Sequence, residues 1–211
     1  MPLPLVGAAV GAVATGSAIG AIGLLGGLGG LISSFGKNSK ESKMVLLILA
    51  MKIDGIKDEE LDLFLEVARQ YNVSDLQKVK SIAKELLSQD NIQIREIFKE
   101  YAKENVSEYD KEGNTQFLWT LVNMGFIDGD YSDNERNLVD TYCEIAKLDK
   151  TFAREFEDIA KAMVAIVEQK KFLQDPKINS QKSEIFGKEL DKNQAVLENS
   201  ISELISLSAT L

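Results

Sequence analysis

The residues best suited to chemistry are carboxylates, and they occur in two matching sets. Ile53-Asp54-Gly55 is followed by Asp58, Glu59 and Glu60, and Ile127-Asp128-Gly129 is followed by Asp130, Asp133 and Glu135. Asp128-Gly129 repeats Asp54-Gly55 74 positions later, and with one residue fewer in the first turn Glu60 matches Glu135. Carboxylate oxygens are the ligands that hard cations such as Ca²⁺, Mg²⁺ and Mn²⁺ prefer. Turns from two related units can bring such oxygens together. The same residues also serve structure alone, because Asp-Gly is good turn chemistry and acidic side chains stabilise a helix N-terminus. Both readings stand on the residues. The stretch Asp128–Glu135 is not a complete EF-hand loop. Asp128, Asp130 and Ser132 fit its first ligand positions, but the central glycine and the closing glutamate are missing.

Other chemistries are poorly supplied. The chain has no histidine, hence no imidazole base and no triad built on one. Its one cysteine, Cys143, lies among apolar residues at helical spacing and reads as a buried packing thiol. One cysteine forms neither an internal disulfide nor a thiolate zinc site, and the cytoplasm is the expected compartment. The formal charge of -9, a single Trp119 and the lack of a basic stripe argue against nucleic acid as a partner. No phosphate-binding loop follows the glycines. The expectation is a protein that is not an enzyme, with a metal-assisted hydrolase as the alternative that the carboxylates leave open.

The elements that must position these groups are all helices. Ser39 can cap a helix running to Asp54, and a second is expected over about Asp58–Tyr71, with Leu61, Phe64, Leu65 and Ala68 on one face. Ser74-Asp-Leu-Gln77 opens a third that ends near Ser88, and a fourth covers about Asn91–Lys103. Asn105–Asn114 reads as a connector containing Gly113, followed by a helix over about Thr115–Phe126. Ser132-Asp-Asn-Glu135 is a capping box for a helix reaching Leu148, and the next spans about Thr151–Leu173 before Asp175-Pro176. A last helix, about Ser183–Leu207, carries Phe186, Leu190, Asn193, Leu197, Ser200 and Leu204 at three-four spacing and is expected to dock on the core. No stretch alternates like a strand.

Residues 1–36 differ in kind. They contain ten glycines and no charged side chain, whereas all 24 basic and 33 acidic residues follow them. Glycines recur at four-residue spacing, as in Gly7–Gly11 and Gly16–Gly20, which permits close helix–helix approach in lipid or in an oligomer. Lys37, Lys40 and Lys43 come next and favour a cytoplasmic body at the membrane's inner face. The organisation is therefore an apolar segment over 1–36, a helical domain over 37–174 and a C-terminal helix over 175–211. An oligomeric, membrane-perturbing effector built on residues 1–36 is the second functional alternative.

The repeated unit, an apolar helix, an Asp-Gly turn, polar residues and a glutamate opening the next helix, resembles the TerB-like family, which includes tellurite-resistance TerB and the N-terminal domain of DjlA. The resemblance covers about residues 40–160. It departs from the family pattern in having Ile53 and Ile127 where alanine is usual. It implies an all-α bundle of two pseudo-symmetric helical hairpins. It also implies a divalent cation held by Asp54, Glu60, Asp128 and Glu135, and a protein partner in a membrane-linked stress or defence response. A homo-oligomer is a further expectation, from the four-spaced glycines of residues 1–36.

Overall fold

The computed structural model describes residues 39–53, 55–56, 58–70, 73, 91–126, 129, 131–175 and 180–210; within the helices, the side chains at 58, 59, 61–63, 70, 91–93 and 180–182 also lie outside the description. Residues 1–36, the helix expected over 74–88, Asp54 and Asp128 fall outside it. The described residues are helical and loop, with no strand. Their helices are α1 (Lys40–Lys52), α2 (Asp58–Gln70), α3 (Asn91–Asn105), α4 (Lys111–Phe126), α5 (Asp133–Ala146), α6 (Lys150–Leu173) and α7 (Ser180–Ser208). Among the described residues no helix is long and apolar enough to cross a membrane.

Local sequence explains where these helices begin. Ser39 caps α1, its Oγ accepting the Ser42 N–H at 3.1 Å. The capping box of α5 is complete: the Glu135 N–H donates to Ser132 Oγ at 3.2 Å, and the Ser132 N–H donates to Glu135 Oε2 at 2.7 Å. Asp149 caps α6 by accepting the Thr151 N–H at 2.9 Å, one residue ahead of the expected start.

The connector expected over Asn105–Asn114 is shorter in the structure. The helix after it begins at Lys111, because Asp110 accepts the Gly113 N–H at 3.0 Å and the Asn114 N–H bonds back to the Asp110 carbonyl at 2.9 Å. A Cβ at residue 113 would collide with the Asp110 carboxylate, so the glycine that suggested a loop admits a cap instead.

Helix α4 is the centre. From Asn114 to Phe126 every side chain except Gln116 is buried, and α4 packs against α1, α5, α6 and α7. A helix apolar on all sides belongs inside a core. Its neighbours complete the layers: α1 touches α2 and α3, α3 touches α5, α5 touches α6, and α6 touches α7. Trp119 meets the Phe156 ring at 5.5 Å, and Phe117 meets Tyr142 edge-on at 5.3 Å. Asn114 is buried but satisfied, donating to the Ser107 carbonyl at 2.8 Å and accepting from the Tyr142 hydroxyl at 3.3 Å.

On α7, Leu190, Ile201 and Ile205 are buried, and Leu197 and Leu204 pack against the core. Phe186, expected on that face, is 58% exposed, with Ile185 beside it exposed as well. The buried stripe begins one turn later because it drifts through Leu190, Leu197, Ile201 and Ile205.

Candidate functional site

The glycines of the two repeats share a backbone conformation. Gly55 has φ +105° and Gly129 φ +86°, a backbone region where only glycine is unstrained. Neither would meet an atom within 4 Å if it carried a Cβ, so the conformation and not crowding requires glycine. Each following helix closes alike. The Val73 N–H bonds to the Ala68 carbonyl at 3.2 Å, and the Leu148 N–H bonds to the Cys143 carbonyl at 3.0 Å. These are the long-range bonds of a Schellman closure.

Of the four carboxylates expected to hold a cation, Glu60 and Glu135 are described, and both are buried. Both line one small cavity, together with Ala50 of α1, Leu121, Met124 and Gly125 of α4, and Leu138 and Val139 of α5. Its volume of about 10 Å³ admits one water-sized sphere. Asp54 and Asp128 adjoin these helices in sequence but lie outside the described residues. Glu135 has one oxygen committed to the Ser132 N–H, while Oε1 lies near Gly125. Two carboxylates in an otherwise apolar lining fall short of the six to eight oxygens that Ca²⁺ takes. Among the described residues, no group of three or more Asp, Glu, Cys or His is placed to hold a metal. A complete shell would need oxygens from beyond this lining.

Gly125 is where this cavity is most sensitive. A Cβ there would lie 2.7 Å from the Tyr131 ring and 3.0 Å from Glu135 Oε1. Gly125→Ala is expected to displace one or both. Overpacking costs about 1–3 kcal/mol, partly offset by alanine's better helix propensity of about 1 kcal/mol. Urea unfolding followed by circular dichroism should show a net loss of stability; an increase would mean that Tyr131 swings aside without cost.

Beside the second turn is a charged cluster that sequence reasoning missed. Glu157 of α6 is buried and accepts from the Tyr131 hydroxyl at 3.1 Å, from Arg136 at 3.1 Å and from Arg154. Arg154 also pairs with Asp140. Tyr131 stacks on Phe126 with ring centres 4.3 Å apart, and the Arg136 guanidinium lies 5.5 Å from the Tyr131 ring centre. Burial, then the negative charge of Glu157, raises the Tyr131 pKa, so the phenol stays protonated as a donor. This cluster ties the entry of α5 to α6. The available signal was an acidic residue at 157, four after Ala153 and three before Ala160, in the register of the buried stripe.

Cys143 is buried, and desolvation followed by the Asp140 charge pushes its thiol up to about 12. It has neither the exposure nor the ionisation of a nucleophile.

No family model, curated protein or solved structure matches the chain.

Proposed function

We propose that the chain is a TerB-like helical interaction module, attached to the inner face of the membrane through residues 1–36. In this reading α1–α2 and α4–α5 are two pseudo-symmetric hairpins. Their turns hold one divalent cation through Asp54, Glu60, Asp128 and Glu135, and the cation rigidifies a body that docks a protein partner. The observation that carries the reading is that Glu60 and Glu135, at matching positions of the two repeats, line one cavity. The paired positive-φ glycines and the matching closures at Val73 and Leu148 support the relation between the hairpins. The 36 uncharged residues ahead of the body support the attachment. The role is non-catalytic and belongs to a stress or defence setting.

The test is thermal unfolding of the full chain in chelator and in millimolar Mg²⁺, Ca²⁺ or Mn²⁺. A cation present at about ten times its dissociation constant stabilises by about 1.4 kcal/mol, which for this chain length raises the melting temperature by about 3–6 °C. The double variant Asp54→Asn with Asp128→Asn should lose that increment. If no cation shifts the wild-type melting temperature, the cation assignment is wrong.

A further inference from the structure

A second cleft lies at the opposite end of α5 from Glu135. It has a volume of about 500 Å³ and runs between the C-terminal turns of α3 and α5 and the loop joining α3 to α4. Val106 and Ile145 supply apolar lining, and Tyr109, 89% exposed, stands beside them. Lys99, Lys103 and Lys147 supply the charge. Glu108 and Glu144 line it too, and Lys150 at 2.8 Å offsets the charge of Glu144. Lys103 pairs with Glu100 at 2.7 Å, an exposed contact that a ligand can replace.

Lys147 is the informative residue. Among the described residues it is the only non-glycine with positive φ (φ 53°, ψ 40°). It occupies the left-handed position that ends α5, where glycine serves helix closure better. Its carbonyl accepts from Lys111, a backbone contact that glycine would also provide. Closing the helix therefore does not call for a long cationic side chain. A residue held in a sparsely populated conformation at the lip of a cleft points to use of the side chain.

We propose that this cleft binds an acidic peptide segment of a protein partner, with an apolar side chain against Val106 and Ile145 and carboxylates against Lys99, Lys103 and Lys147. The complementarity rests on a lining in which three lysines outnumber Glu108 and Glu144, a net positive cleft in a chain whose net charge is -9. The assignment deepens the interaction-module reading by naming the partner's chemistry. It is separate from the cation, because residues 135 and 145 of α5 are about 15 Å apart along the helix axis.

The test uses the full chain and a short fluorescein-labelled peptide with a central leucine flanked by glutamates, followed by fluorescence anisotropy at low ionic strength. Saturable binding is expected, weakening with added salt, with no binding of the glutamine-flanked control. Lys99→Glu and Lys147→Glu should each weaken binding by about threefold to tenfold. Lys147→Gly should weaken it as well while keeping or raising the melting temperature, which separates recognition from folding. Binding should be the same in chelator and in Mg²⁺. Equal binding of the two peptides, or affinity unchanged in Lys147→Gly and Lys99→Glu, would overturn the assignment, as would no binding of the glutamate peptide. A cation-dependent melting temperature with no peptide binding would sink the cleft alone and leave the cation reading standing.

Discussion

Trp119→Ala is expected to remove about 3–5 kcal/mol of stability, the range for deleting a large aromatic from a core. Trp119 is fully buried in α4 and packs on Phe156 of α6. The helix holding it is enclosed by α1, α5, α6 and α7, so the surroundings have little room to collapse into the void. Domain stabilities of about 5–15 kcal/mol make this a large fraction of the whole. The variant removes the chain's only tryptophan, so urea unfolding is read by far-ultraviolet circular dichroism. Trp119→Phe separates volume from polarity. Among the described residues the indole N–H has no hydrogen-bond partner, so replacing it with a phenyl ring loses none of the described bonds and should cost less than about half as much. Equal losses in the two variants would place the energetic weight on the indole itself.

Glu157→Ala should be nearly as severe, at about 2–4 kcal/mol. Removing one partner of a buried ion pair typically costs about 3–5 kcal/mol because the other is left uncompensated. Here the side chains of Arg136 and Arg154 remain 43% and 41% exposed and recover some hydration, which lowers the figure. Tyr131 also loses its acceptor. Glu157→Gln retains the shape and one acceptor, so it should fall between wild type and alanine. The ordering wild type, glutamine, alanine in urea midpoints is the measurement; a glutamine variant as stable as wild type would show that the carboxylate's charge contributes nothing. Because Tyr131 and Glu135 both lie against Gly125, the alanine variant should also weaken any cation effect on melting. That coupling is checked by repeating the titration in Mg²⁺.

Among the described residues, helices were legible where a polar cap preceded an apolar run. Ser39 and the Ser132–Glu135 box are local signals, read within one turn of chain, and both caps form as expected. Gly113 misled because its meaning depends on a neighbour: glycine reads as a breaker, yet here the missing side chain makes room for Asp110. The reading of α7 went astray at Phe186 because three-four spacing marks a stripe without saying where its partner helices end. The repeat was visible in Asp54-Gly55 and Asp128-Gly129. That Glu60 and Glu135 border a common cavity depends on how α1, α2, α4 and α5 pack together, which no local pattern encodes. The Glu157 cluster was hidden for a related reason. An acidic residue at a core position looks like a break in the stripe until Arg136, Arg154 and Tyr131 arrive from other segments to neutralise it.

The placement of α4 also governs how the molecule breathes. Its backbone amides are shielded by four other helices, so they should exchange with deuterium only through global opening. Helix α7 is different: it rests on α6 and α4, and Ile185, Phe186 and Val196 are left in solvent. Sparse apolar anchorage permits sub-global opening at lower free energy. The first half of α7 should therefore exchange ahead of the half bearing Ile201 and Ile205, and both ahead of α4. Detachment of α7 uncovers part of the α4 surface while α1, α5 and α6 stay packed on it, so a protease that cuts in the first half of α7 removes the cover of α4 without waiting for global unfolding.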